Sequence, residues 1–276
     1  LYVETVHRRG YRFIGKAGDT RKDGTNKFSN PIPFSDPSPH ENLIVGRKSH
    51  LATMGRLYEK TCGGARQVLF ISGKRGIGKT RLTDAFLETV ASSRPVGSHS
   101  SNAVPPFVAR GQCVQLYGKA EAYMPLLEAL TGLCRPPSGR RIINILCRHA
   151  PLWMSQMPSQ LSAAQILRIR ISTRSASRDR MLRELAEALE ELTLHRPMIL
   201  VLEDLHWSDP STLDWLMYWA KRRNPARLLL MATYSPVEVS SQEHPLHTLI
   251  PELQLKRQCL ELPLYGLEEK DIEEYL

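Results

Sequence analysis

Gln67-Val68-Leu69-Phe70-Ile71-Ser72 runs directly into Gly73-Lys74-Arg75-Gly76-Ile77-Gly78-Lys79-Thr80, and this junction decides the fold. The first six residues form a short apolar run with the length and composition of a buried strand. The next eight satisfy the phosphate-loop pattern G-x-x-x-x-G-K-[ST] in full. Glycines at these positions let backbone N–H groups turn inward around phosphate oxygens, where a Cβ would obstruct the approach. Lys79 supplies a point charge for the β- and γ-phosphates, and the Thr80 hydroxyl a ligand for magnesium. Leu82, Phe86 and Val90 then recur on one face of a helix whose N-terminal dipole faces the anion. The implied ligand is ATP with Mg2+, held by residues 73–80 together with Arg81. Lys74 and Arg75 read as charges at the tip of the loop.

About 120 residues further on, Met198-Ile199-Leu200-Val201-Leu202 ends in Glu203-Asp204. Many strands end in acids, so the pattern is informative only with the phosphate loop upstream. Together they match the arrangement that holds magnesium through water and polarises an attacking water. Glu203 is assigned to the magnesium shell and Asp204 to activation of the nucleophile, with the exchanged roles equally consistent. Asp209-Pro210 has the form of a helix start, cap followed by first turn, so Asp209 is either that cap or a catalytic acid. His206 either senses phosphate or makes local hydrogen bonds.

Working outward, strands are expected at Val68 to Ser72, Val108 to Val114, Met198 to Glu203, Leu228 to Thr233 and Cys259 to Leu262. Helices fall between them, the alternation of an α/β fold with a parallel sheet. Leu182, Leu185, Leu189 and Leu192 put an apolar stripe on the helix entering the third strand. The connection from second to third strand is long, includes Pro136-Pro137-Ser138-Gly139 and Pro151 to Ser177, and reads as a helical insertion. Residues 1–15 read as two short strands around Arg8-Arg9-Gly10. Such a hairpin is marginal alone, so its body lies elsewhere. Residues 16–41, rich in Gly, Ser, Lys, Asp and Pro, read as a linker. Residues 42–276 form the nucleotide-binding domain. The chain begins at Leu1 and ends within an apparent helix, Glu268 to Leu276, and is read as a piece of a longer polypeptide.

With 42% apolar and 24% charged residues, the composition supports an ordinary folded core. No apolar stretch approaches the roughly 18 to 20 residues needed to span a bilayer, and no secretory signal is visible. Five cysteines without C-x-x-C spacing suit free thiols in a reducing cytoplasm. The net charge of +9 is concentrated between Arg135 and Arg183, where ten arginines face one acid, Asp179. That stretch is either a patch for phosphate, DNA or an acidic partner, or a solvated face with ion pairs.

Three groups of stretches resemble a known arrangement. Val3-Glu4-Thr5-Val6 with Gly10-Tyr11-Arg12-Phe13 resembles the last wing hairpin of OmpR-type winged-helix DNA-binding domains. Ile44-Val45-Gly46-Arg47, the phosphate loop, and Leu202-Glu203-Asp204-Leu205-His206-Trp207-Ser208-Asp209 are similar to the AAA-like ATPases of the STAND class, signal-transduction NTPases of large bacterial regulators. Gly111-Gln112-Cys113 and Ala150-Pro151-Leu152-Trp153 look like regulators joining the two. The resemblance implies an α/β P-loop NTPase sheet with a helical insertion, preceded by a winged-helix remnant. It also implies ATP as a switch ligand, with slow hydrolysis. Val45 and Arg47, with Ile44, become base-pocket residues or simple packing, and Thr233 a polar sensor or strand-end cap. The family's γ-phosphate-sensing arginine is replaced by Ser235, which argues against fast hydrolysis. Expected partners are DNA through the absent winged-helix body, a lid and helical repeats beyond residue 276, and other copies of the chain. A small-molecule kinase and a nucleotide-degenerate scaffold are the alternatives.

Overall fold

A computed structural model describes residues 3–6, 10–13, 46–92, 104–115, 121–173, 177–240 and 244–266. They fall into two units, Leu1–Glu41 and Asn42–Leu276. In the first, β1 (Val3–Val6) pairs antiparallel with β2 (Gly10–Phe13), Val3 opposite Phe13 and Val6 opposite Gly10. Gly10, expected in the turn, is itself paired. Residues 14–45 lie outside the described residues.

The second unit is built on five parallel strands: β3 (Gln67–Ser72), β4 (Phe107–Gln112), β5 (Met198–Glu203), β6 (Leu228–Tyr234) and β7 (Leu260–Pro263). All five stand where the sequence places a strand, β5 with the expected ends and the others with ends shifted by at most two residues. Their lateral order is β4-β5-β6-β3-β7. The phosphate-loop strand and the acidic strand are therefore not neighbours: β6 lies between them, paired with both.

Helices cover both faces. α1 (Lys48–Cys62) and α2 (Lys79–Ser92) lie on one, over Leu69, Ile71, Ile199, Val201, Leu229 and Met231. The alternate residues of the same strands, such as Phe70, Leu200 and Leu230, face a larger core. That core is built with α3 (Met124–Leu133), α4 (Gly139–His149), α5 (Pro151–Ser155), α6 (Ala163–Ser172) and α7 (Arg178–Leu192). α8 (Pro210–Lys221), α9 (Pro236–Val239) and α10 (Leu246–Leu255) complete it. Central strands apolar on both faces need such double cover, which is why they read as continuous hydrophobic runs.

The helical insertion is α3 to α6, all between β4 and α7. Its entry is close-packed: a Cβ on Gly111 would lie 1.8 Å from the Pro125 carbonyl oxygen. In α7, Leu185, Leu189 and Leu192 are buried and Leu182 partly so, as the stripe requires. The basic stretch divides. Arg178, Arg180 and Arg183 pair with Asp214, Glu184 and Glu187. Arg140, Arg141 and Arg148 of α4 and Arg168 and Arg170 of α6 are exposed. Arg174 lies outside the described residues.

Candidate nucleotide site

The site sits beyond the carboxyl ends of β3, β5 and β6, the side on which open parallel sheets gather ligands. Between β3 and α2 the chain turns through Gly76 (φ 79°) and Gly78 (φ 97°), a region other residues enter only with strain. Leu82 is the first amide of α2 seen donating along the helix, to Gly78 O at 2.9 Å. The N–H groups of Gly78, Lys79, Thr80 and Arg81 thus belong to the open first turn. The loop is anchored by packing: a Cβ on Gly73 would come within 2.8 Å of Ile77 Cγ2 and 3.1 Å of Leu264 O. Ile77 packs against the smaller core, so it can offer a ligand only backbone.

Lys79 is buried, and its Nζ donates to the carbonyls of Gly73 at 2.9 Å and Lys74 at 3.1 Å. Burial pulls its pKa down, opposed by the Asp204 carboxylate. Lys74 and Arg75 are exposed at the tip, and the Arg75 guanidinium lies 5.4 Å from the Trp207 ring. Arg81 is also exposed, 4.0 Å from Glu88, so its contribution to the loop is its amide.

Across the gap, the Thr80 hydroxyl donates to Glu203 Oε2 at 3.1 Å. Both groups are hard oxygen donors, the chemistry magnesium takes, and their closeness leaves Thr80 positioned to meet the ion directly while Glu203 meets it through water. Asp204 follows with a left-handed backbone (φ 53°, ψ 46°) and donates its N–H to Thr233 Oγ1 at 3.0 Å. β6 holds the phosphate loop as well, since Gly73 N–H donates to Tyr234 O at 3.3 Å.

Not every residue read from the sequence contributes in the same way. Arg47 is buried at the start of α1 and donates to Tyr265 O at 2.7 Å, a tie between α1 and the segment after β7. Ile44 and Val45 lie outside the described residues. Asp209 caps α8, accepting from the N–H groups of Thr212 (2.9 Å) and Tyr123 (3.0 Å) and from the Thr212 hydroxyl (2.6 Å). Of cap and catalytic acid, these contacts are those of the cap. His206 is buried among local partners: Nδ1 faces Ser235 N–H at 3.4 Å, and its carbonyl meets His244 Nε2 at 2.9 Å. Burial pushes its pKa below the ordinary histidine value, against the pull of Asp204 and Glu238. Ser235 is buried and brings no charge.

Sequence reading missed Arg110 and Asp84. Arg110 of β4 places Nε 3.1 Å from Glu203 Oε1, and the same guanidinium pairs with Asp84 of α2. An arginine on a strand side by side with the acidic one was the available signal, legible only once the strand order is known.

A profile of the AAA ATPase domain matches residues 43–231. The chain belongs to the AAA ATPase domain family. A curated relative of this AAA domain, uncharacterized protein R02095 of Rhizobium meliloti (strain 1021), is 27% identical over 208 residues, or 70% of this chain. The chain spans only 18% of that relative's length. Among solved structures, the domain is similar to the Walker-type ATPase PABY2304 of Pyrococcus abyssi. That match has 17% identity and a TM-score of 0.43, covering 84% of this chain and 57% of that one. It is also similar to the ORC1 protein of Aeropyrum pernix in complex with DNA, with 13% identity, TM-score 0.45, and coverage of 84% and 50%. Among the described residues, no helix is long and apolar enough to cross a membrane.

Proposed function

We propose that this AAA domain is the ATP-dependent switch of a DNA-binding transcriptional regulator. The observation that supports it best is the convergence of Lys79, Thr80, Glu203 and Asp204. Lys79 and Thr80 open α2, which follows β3, and Glu203 and Asp204 stand at the end of β5, two strands away in the sheet, yet Thr80 and Glu203 stand within a hydrogen bond of each other. In this reading the amides of Gly78, Lys79, Thr80 and Arg81 and the Lys79 ammonium hold the triphosphate, with Lys79 leaving the Gly73 and Lys74 carbonyls to do so. Thr80, and Glu203 through water, would hold magnesium, which would supply positive charge to the phosphates. Asp204, fixed through its own N–H by Thr233, accepts a proton from the attacking water. Arg47 lies at the edge of the base pocket, with Val45 beside it in sequence.

Hydrolysis is slow in this proposal because Ser235, at the end of the strand between the two motifs, brings no cation to the γ-phosphate. Nucleotide state then changes how a lid beyond residue 276 packs. DNA is bound by a winged-helix body of which residues 1–15 are the last hairpin, and helical repeats and a second copy are further partners. The test is binding of a fluorescent, non-hydrolysable ATP analogue with and without magnesium. We expect Lys79→Ala to weaken it at least tenfold, a loss of about 1.4 kcal/mol or more. An unchanged affinity would remove the phosphate-loop assignment and the switch with it.

A further inference from the structure

Arg110 enters the nucleotide site from the edge of the sheet, and neither the loop pattern nor the acidic strand end accounts for it. Its guanidinium is shared between two carboxylates on different elements, Glu203 of β5 and Asp84 of α2. Glu203 is in turn shared between two donors: Oε1 lies 3.1 Å from Arg110 Nε, and Oε2 accepts from the Thr80 hydroxyl at 3.1 Å. The result is a chain of contacts, Thr80 to Glu203 to Arg110 to Asp84, closed at both ends on α2. The Glu203 side chain is 9% exposed and that of Arg110 39% exposed, so the carboxylate is enclosed while its positive partner keeps a route to solvent.

We propose that Arg110 competes with magnesium for Glu203 and thereby sets the metal concentration at which the site accepts a nucleoside triphosphate. The inference rests on the reading of Glu203 as a carboxylate of the magnesium shell. A divalent ion placed between Thr80 and Glu203 needs negative charge on that carboxylate, and the guanidinium already draws on it. Contacts to an ionised group are about twice as strong as neutral ones. The Glu203 side chain has little water to weaken the competition. Asp84 acts in the opposite sense: by holding the other arm of the guanidinium it keeps Arg110 from closing both arms on Glu203. An arginine suits this position because its planar fork presents Nε to Glu203 and a terminal nitrogen to Asp84 in fixed directions.

The experiment measures binding of a fluorescent, non-hydrolysable ATP analogue while magnesium is titrated, on the whole chain, with folding checked by circular dichroism. Arg110→Gln removes the competing charge and is expected to lower the half-saturating magnesium concentration at least about threefold. Asp84→Asn leaves the guanidinium wholly to Glu203 and is expected to raise it by a similar factor. Arg110→Lys keeps the charge and returns the requirement toward that of the wild type. General damage to the site would raise the metal requirement in every variant, so the opposed signs carry the test. Should Arg110→Gln leave the requirement unchanged or raise it while the wild type binds normally, competition is refuted and the nucleotide site stands. If Arg110→Gln does not fold, a requirement that stays unchanged or falls in Asp84→Asn refutes competition in its place. If the wild type shows no magnesium-dependent binding, both readings fall.

Discussion

Replacing Asp209 by alanine separates a structural acid from a catalytic one. Asp209 is 4% exposed and its carboxylate holds three donors from two parts of the chain: Thr212 N–H and hydroxyl within α8, and Tyr123 N–H ahead of α3. Losing the cap alone costs about 1 to 2 kcal/mol. The Tyr123 amide is left buried without its acceptor, a further cost of about 1 to 3 kcal/mol. Tyr123 sits at φ 63°, a conformation a tyrosine adopts only when its surroundings impose it, and Asp209 is one of those constraints. Relief of the buried carboxylate's own desolvation offsets part of the loss. We expect a net loss of about 3 kcal/mol, a large share of the 5 to 15 kcal/mol typical of whole domains. Asp209→Asn keeps a good cap and one acceptor oxygen, and should lose less than about 1 kcal/mol. Urea unfolding followed by tryptophan fluorescence reads both values, and affinity for the ATP analogue should stay within about twofold in the asparagine variant. If alanine costs under about 1 kcal/mol, or if asparagine abolishes hydrolysis in a protein of normal stability, the capping argument is wrong.

Gly111→Ala should prevent folding or cost at least about 3 kcal/mol, because its new methyl would meet backbone at 1.8 Å rather than a side chain able to swing away. Soluble yield and melting temperature decide this, and a melting point within about 2 °C of the wild type would contradict it. Glu190 makes a pH prediction. Burial pushes its carboxyl up, but hydrogen bonds from Arg222, Asn224 and Arg66 together outweigh burial and hold it below the ordinary carboxylate value. A depressed pKa contributes stability above the unfolded value, and that stability is lost as pH falls through the folded one. Glu190→Gln should therefore melt well below the wild type at about pH 7 and much closer to it at about pH 3. Equal gaps at both pH values would contradict it.

The central strands β3, β5 and β6 were legible in sequence because each is apolar on both faces and is buried by helices from both sides, whereas β4 and β7 at the sheet edges are only partly buried and were read from shorter apolar stretches. The phosphate loop was legible because its glycines and lysine are contiguous. Asp209 was recognisable as a helix start, although sequence left its role open between cap and catalyst. The reach of its carboxylate to Tyr123 was not recognisable, since it spans 86 residues and depends on where α3 enters. Arg110 was invisible for a related reason. It lies four residues after Pro106, far from both motifs in sequence, and only the pairing of β4 with β5 brings it beside Glu203. Arg47 was read from a short motif as either a base-pocket residue or simple packing, and that pattern carried no hint that Tyr265, 218 residues away, accepts from its guanidinium.

Strand order also explains why β6 matters more than its plain sequence suggests. Neighbouring strands lie about 4.8 Å apart, so the backbones of β3 and β5 are separated by roughly 10 Å. Thr80 and Glu203 close that gap with their side chains, above the end of the strand lying between them. Tyr234 O holds the start of the phosphate loop, and Thr233 Oγ1 holds the amide of Asp204. Two adjacent residues of β6 thus fix the spacing between the phosphate-binding and acidic halves of the site. Any shift of β6 along its axis changes both halves together. Such a strand couples the site to the elements beyond its carboxyl end, here α9, His244 and α10. His244 reaches back to the His206 carbonyl at 2.9 Å, so the segment after β6 contacts the acidic turn directly. His244 in turn accepts the N–H of Leu246, the first residue of α10, at 3.2 Å, so two successive hydrogen bonds join the turn after β5 to α10 without crossing the sheet.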